Sequence, residues 1–192
     1  MAKENQRLIV AISGASGAIY GITALRQLKA LGVETHLVVS KAAALSLTAE
    51  TDLSLSDVNA MADHVHKAAD IGATIASGSF RTLGMLIAPC SIKTMSEIAS
   101  GVTSSLVSRA ADVVLKERRR LVLMVRESPL HLGHIRSMAA VTEMGAIVAP
   151  PVPAFYTRPQ SLQDMVDQSV ARSLDLFGLE APVTRWTGLA DD

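Results

Sequence analysis

The sequence predicts an α/β domain on a mainly parallel sheet, and three observations predict it. Short apolar runs alternate with stretches of helical periodicity along the chain. Most of those runs end in Gly, Ser or Pro, the residues that punctuate strand-to-helix turns. No repeat or low-complexity linker divides the 192 residues, a length that fits one compact domain.

The elements follow in order. Leu8 to Ile12 is an apolar run too short for a signal core or a membrane span, and reads as a buried parallel strand. Ile19 to Leu31 is helical and stops at Gly32. Thr35 to Val39 is a second strand, and Ser40 can cap the helix from Lys41 to about Glu50. The stretch 51–78 is less regular: a helix is expected around Ser56 to Val65 and an extended segment near Ala73 to Ser77. Met85 to Ala88 is a strand that runs into Pro89-Cys90-Ser91, with a helix from Ser91 and a longer one from about Ser104 to Arg119. Leu121 to Val125 is a strand, Pro129 to Met144 a helix, and Ala146 to Ala149 the last strand. Leu162 to Phe177 is an amphipathic helix with a stripe of Leu162, Met165, Val166, Val170, Leu174 and Phe177. A tail from about 180 to 192 is expected to be extended. Together these make a single domain over 1–192, a Rossmann- or flavodoxin-like three-layer sandwich whose ligands bind beyond the carboxyl ends of the strands.

Composition excludes several functions. With 49% hydrophobic and 19% charged residues, the chain fills a core and has apolar surface left for other subunits, so an oligomer is expected. Net charge is zero, and the one basic cluster, Arg118 to Arg120, reads as a helix end, not as a nucleic-acid groove. The single cysteine, Cys90, excludes an intrachain disulfide and fits a reducing, cytoplasmic setting. It reads as a small buried residue, not as a nucleophile. His64-x-His66 and His131-x-x-His134 are isolated pairs with no Cys or carboxylate at ligand spacing, so no metal is expected.

Ser13-Gly14-Ala15-Ser16-Gly17-Ala18 joins the first strand to the first helix. Glycines there allow a sharp turn, and amides at a helix start can hold an anion. The G-x-G spacing of dinucleotide sites is absent, and Ser40-Lys41 stands where a ribose-binding acid belongs. No Gly-Lys-Ser/Thr follows, so the loop is not a Walker loop. A mononucleotide such as FMN fits better, with hydroxyls of Ser13, Ser16, Ser40, Ser91 and Thr94 to meet it. Ser40 and Ser91 read equally well as plain helix caps.

Ordered motifs along nearly the whole chain then identify a family. They are Ile12-Ser-Gly-Ala-Ser-Gly-Ala18, Ser40-Lys41 leading to Glu50, and Pro89-Cys90-Ser91 with Thr94. Arg109-Ala-Ala-Asp-Val-Val-Leu-Lys116-Glu-Arg-Arg119, Val125-Arg126-Glu127 with Pro129, and Pro151-Val-Pro-Ala-Phe-Tyr156 with Arg158-Pro-Gln160 follow. In these the chain resembles the UbiX-like flavin prenyltransferases, and Ser77-Gly-Ser-Phe-Arg-Thr82 is similar to the branch found beside phenolic-acid decarboxylases. Val125 departs from a proline common in the family, and Gly133 and Arg136-Ser137-Met138 also vary from its pattern.

The resemblance implies the chemistry. Such enzymes join dimethylallyl monophosphate to reduced FMN at N5 and C6, release phosphate without a metal, and pass prenylated FMN to a UbiD-type decarboxylase. It implies a flavin clamp of Gly14, Ala15, Ser16, Ser40, Ser91, Ile92, Lys93, Thr94 and Arg126, with Ser16 close to flavin N5. It implies a substrate clamp of Arg109, Lys116, Arg126, Glu127, Tyr156 and Arg172, formed between subunits, and Ser16, Glu50, Lys116 and Glu127 as catalytic groups. It also implies trimers assembled into dodecamers. On spacing alone Arg109, Asp112 and Lys116 share one helix face, with Arg109 and Lys116 about 10 Å apart along the axis, and an Asp112–Lys116 surface pair explains them equally well. Glu127 could pair with Arg126 or Arg136, and Glu50 could end a solvated helix. Two other functions compete: a non-catalytic FMN carrier serving a decarboxylase, and a flavin-dependent decarboxylase of the cysteine-decarboxylating group. The catalytic His and Asn-Met motif of the latter are absent.

Overall fold

The computed structural model describes residues 6–188. Six parallel strands form one sheet in the order β3-β2-β1-β4-β5-β6. The strands are β1 (Arg7–Ile12), β2 (Glu34–Val39), β3 (His64–Lys67), β4 (Gly84–Cys90), β5 (Arg120–Val125) and β6 (Ile147–Val148). The helices are α1 (Ala18–Ala30), α2 (Lys41–Glu50), α3 (Leu55–Asn59), α4 (Ile92–Ala99), α5 (Leu106–Lys116), α6 (Leu132–Glu143) and α7 (Leu162–Asp175).

The apolar runs became the central strands because those strands are covered on both faces. One core layer joins Leu8, Val10, Leu86 and Val122 to α1, α2 and α7. The other joins Ile9, Met85, Ile87 and Leu123 to α4, α5 and Val141 of α6. Close packing of α1 on the sheet needs Gly21: a Cβ there would lie 2.5 Å from the Ala88 carbonyl oxygen and 2.6 Å from Ile12. Burying each large apolar side chain contributes about 1.5–3 kcal/mol, so the two layers hold the frame on which the loops are mounted.

The stretch 51–78 differs from expectation. The helix ends at Asn59, and His64–Lys67 forms an edge strand paired to β2. The expected extended segment is a single 3₁₀ turn, Thr74–Ala76. A capping box from Ser54 and Asp57 starts the short helix. The α6 helix begins at Leu132, capped by the His131 side chain, so residues 129–131 are not helical. In α7, Leu162 is 76% exposed instead of buried. Gln168 and Ser173 are buried with Val166, Val170 and Leu174, because the chain after α7 folds back over that helix. The Gln168 amide donates to the Thr184 carbonyl at 2.8 Å and accepts from the Thr184 amide at 3.0 Å. Residues 180–188 have no regular structure, and the rest of the expected tail lies outside the described residues. Among the described residues no helix is long and apolar enough to cross a membrane.

Candidate functional site

Strand order reverses between β1 and β4, so the loops that leave these two strands part and open a crevice at their carboxyl ends. Ser13 ties the two tips together. Its hydroxyl donates to the Pro89 carbonyl at 2.9 Å and accepts from the Ser91 amide at 2.7 Å. Ser13 is 1% exposed, so this hydroxyl is a structural tie and not a free ligand group as the sequence suggested. Gly14 lies against α2: a Cβ there would stand 2.4 Å from the Ala42 Cβ, so only glycine lets the first loop meet the second. Gly17 caps α1 at a φ of 102°, in the left-handed region.

The anion expected at this helix start is the chain's own Glu50. Its carboxylate accepts from the Gly17 amide at 2.7 Å and the Ala18 amide at 3.1 Å. Glu50 ends α2 as expected, but its side chain turns back onto the N-terminus of α1, where amides and helix dipole favour a negative charge. Partial burial pushes its carboxyl up, yet the Gly17 and Ala18 amides, the Ser16 hydroxyl and the Arg126 charge outweigh that and hold it below the ordinary value.

Arg126 follows the last residue of β5, its amide donating to the Cys90 carbonyl at 3.1 Å. The exposed guanidinium makes no hydrogen bond or ion pair with the described residues, but its charge acts on Glu50 and Tyr20. Tyr20 was not singled out in the sequence. It is one of two tyrosines and falls in the first turn of α1, next to the glycine loop, which is the only signal that could have marked it. Partial burial raises its phenol pKa, against the lowering pull of Arg126.

Ser40 accepts from the Ala43 amide and Ser91 from the Thr94 amide, so both are the helix caps that the residue types suggested. The Ser91 hydroxyl also donates to the Thr94 hydroxyl at 3.1 Å. Behind Ser91 the amides of Ile92 and Lys93, first in α4, have no intrahelical partner and face the crevice end of the helix. The Lys93 side chain pairs with Glu97 at 2.7 Å. Glu127 pairs with neither Arg126 nor Arg136; its carboxylate is exposed and accepts from the Ser128 amide at 3.0 Å.

The remaining candidates stand elsewhere. Lys116 ends α5, just before β5 begins, whereas Arg126 follows that strand. Six residues at about 3.3 Å each separate them by roughly 20 Å. Asp112 pairs with Arg109 at 2.9 Å and Lys116 with Glu117 at 2.5 Å, so the Asp112–Lys116 pair does not form. Lys116 and Asp112 line a cavity of about 380 Å³ together with Ile98, Ser108 and Met144. Tyr156 and Arg172 line a different one, of about 370 Å³, under Pro150 and Val152. There Tyr156 donates to the Thr184 carbonyl at 3.2 Å and meets Trp186 edge-on, while Arg172 reaches Asp175 at 3.4 Å. A single chain thus gathers Gly14, Ser16, Ser40, Glu50, Ser91 and Arg126 at the strand tips, and Tyr156 with Arg172 beside α7, but leaves Arg109 and Lys116 on α5.

Two expectations about inert groups also meet the structure. Cys90 is fully buried, and burial pushes its thiol pKa up to about 12, which leaves no thiolate for nucleophilic work. The pair His64 and His66 is not isolated, because the β2–β3 register sets it beside His36 and Glu34.

Comparison with known proteins shows the family and the fold. The flavoprotein family model matches residues 1–173. Flavin prenyltransferase UbiX of Escherichia coli strain K12 is 59% identical over 187 residues, covering 95% of this chain and 99% of that protein. The crystal structure of AnUbiX (PadA1) in complex with FMN and dimethylallyl pyrophosphate superposes with a TM-score of 0.95 at 51% identity, covering 97% of this chain and all of that one. A dodecameric FMN-dependent UbiX-like decarboxylase from Escherichia coli O157:H7 gives 0.93 at 51% identity, covering 95% of this chain and 100% of that one.

Proposed function

The chain belongs to the UbiX-type flavin prenyltransferases, and on that premise we propose that it joins the dimethylallyl group of dimethylallyl monophosphate to reduced FMN, at N5 and C6. The product is prenylated FMN, and a UbiD-type decarboxylase is its recipient. The observation that carries the reading is the Arg126 guanidinium, which has no hydrogen bond or ion pair among the described residues, at the β1/β4 crevice with its hydroxyls and open helix-start amides. FMN carries a phosphate and a ring edge rich in hydrogen-bonding atoms, and this donor set fits both.

In this reading Ile92 and Lys93 amides, Ser91 and Thr94 hold the FMN phosphate and ribityl chain, where the dipole of α4 favours an anion. Gly14, Ala15 and Ser40 lie against the flavin, and Ser16 presents its hydroxyl near N5. Glu50, fixed by two amides, orients Ser16 and takes part in proton movement at that atom. Glu127 carries a proton at the phosphate that leaves the dimethylallyl carbon. Tyr156 and Arg172 grip that phosphate from the α7 side, and Arg109 and Lys116 complete the clamp from a neighbouring copy.

Two features support a shared site: the roughly 20 Å between Lys116 and Arg126, and the exposed apolar side chains Val152, which lines the same cavity as Tyr156, and Phe155, next to Tyr156 in sequence. Exposed apolar side chains of this kind suit burial between subunits, in line with the dodecameric relative. A cytoplasmic setting fits the lone buried Cys90.

The test is direct. Purified protein is incubated anaerobically with reduced FMN and dimethylallyl monophosphate, and the released flavin is weighed. A mass gain of one five-carbon unit is expected; unmodified FMN from folded protein would overturn the reading.

A further inference from the structure

We propose that Glu34, His36 and His64 form a binding site for a divalent transition-metal cation, zinc by preference, at the β2–β3 edge of the sheet. Glu34 and His36 lie two apart on β2, so they share one face, and the parallel register sets His64 opposite His36. The Glu34 Oε1 atom stands 3.2 Å from His36 Nε2 and 3.3 Å from His64 Nε2. All three atoms lie within 4.8 Å of one another, the one such cluster of His, Cys, Asp and Glu among the described residues.

The two separations from Glu34 match zinc coordination. Ligand atoms about 2.0–2.1 Å from a tetrahedral zinc ion lie about 3.3 Å from each other. The surroundings suit a metal as well. His36 Nδ1 is 3.0 Å from His66 Nε2, the kind of outer hydrogen bond that fixes a ligating imidazole's tautomer. Without a metal, His36 Nε2 lies at hydrogen-bond distance from the Glu34 carboxylate; in the tautomer that donates through Nδ1 to His66, the Nε2 lone pair points to the same carboxylate and the two can share a cation. The edge-on Phe80 ring, 4.9 Å away, walls the buried side of His36.

The site is open on one side. His36 is buried, while the His64 side chain is 53% exposed and stacks on His36 at 4.6 Å, so a small turn of the His64 ring brings its nitrogen into line. Three protein ligands leave a fourth position for water. Arg7 donates from Nε to both Glu34 oxygens at 3.1 Å, which orients the carboxylate but repels a second cation. Affinity below that of a closed four-ligand zinc site follows. Imidazole nitrogens favour zinc over magnesium, which prefers oxygen. Glu34 and Ser40 are separated by the length of β2, so the ion would staple the edge strand without touching the flavin crevice.

The experiment is equilibrium dialysis of tag-free protein against zinc chloride with metal analysis, for the wild type, His64→Ala, His64→Gln and His134→Ala. His64 is exposed, so its variants are expected to fold, which circular dichroism checks. The expected result is one zinc per chain in the wild type and in His134→Ala, with affinity at least about 10-fold weaker in both His64 variants. Zinc should also raise the melting temperature of the wild type and not of the His64 variants. No zinc on the wild type, equal affinity in the His64 variants, or loss of binding in His134→Ala instead would overturn the proposal. Flavin prenylation is not the readout, so its success or failure leaves this outcome separate.

Discussion

Arg126 and Lys116 stand at opposite ends of the same strand, and the two ends are built differently. At the carboxyl end three loops are drawn together: Ser13 bonds β1 to β4, Gly14 meets Ala42, and Glu50 seals the start of α1. Polar groups there are held by hydrogen bonds to backbone: Ser13 to Pro89 and Ser91, and Glu50 to Gly17 and Ala18. At the amino end, Lys116 is a surface residue that lines a cavity and, among the described residues, is held by an ion pair to its neighbour Glu117. An exposed pair of this kind holds a side chain weakly. The difference teaches that one chain brings the proposed flavin residues together and leaves Lys116 apart from them, which is why the proposal takes the α5 half from a neighbouring copy.

The sharpest way to break that picture is at the chemistry. Glu127→Gln should lower prenylated-flavin formation about 10²–10⁴-fold and leave FMN binding intact; equal loss of both would mean that Glu127 builds the pocket instead. Next in size is stability. Leu86 at the sheet centre is 0% exposed, and Leu86→Ala should cost about 2–5 kcal/mol in chemical denaturation. Leu162→Ala, at an exposed position, should change the chain's own stability by no more than about 0.5 kcal/mol and show its effect in sedimentation of the assembly. A third contrast sets the two cations side by side. Arg126→Ala should weaken FMN binding by about 10–100-fold, the loss of one charge-assisted contact to the ligand. Lys116→Ala should leave FMN affinity unchanged and lower turnover.

A smaller effect than the core truncation concerns Glu50. Glu50→Gln should destabilise by about 1 kcal/mol, the usual scale for a lost helix-start acceptor, less whatever solvent screens at this exposed position. Its folded carboxyl lies below the ordinary 4.5. The contribution is therefore fully present above that value and fades as pH falls through the lower folded one. Wild type and variant should differ most near neutrality and converge in acid, as followed by urea titrations across pH. A constant difference at all pH values would show that the charge on Glu50 does not matter.

Much of this was legible in the sequence, and the reason is burial. The runs at Leu8, Thr35, Met85 and Leu121 are apolar because both faces of those strands are covered, so each announces itself. The edge strand His64–Lys67 does not, since its residues are mostly exposed and polar, and a helix was expected to run into it. Leu162 misleads for the converse reason: an apolar residue at helical spacing reads as part of the buried stripe, but its side chain is 76% exposed. Helix caps at Ser40 and Ser91 were readable because capping is local. The seal of α1 by Glu50, the tie through Ser13 and the meeting of Glu34 with His64 were not, because each joins residues about 30 or more apart in the chain. Motif resemblance marked Lys116 and Arg126 for one reaction, and only the fold showed that a strand's length divides them.

That division can be tested by mixing. Lys116→Ala and Glu127→Gln chains, each with lowered activity alone, are co-assembled and supplied with reduced FMN and dimethylallyl monophosphate, and the flavin product is quantified by mass. If Lys116 serves a neighbour's pocket, random assortment rebuilds about one site in four, and activity returns to that level. Mixed assemblies no more active than their parents would contradict a site shared between copies.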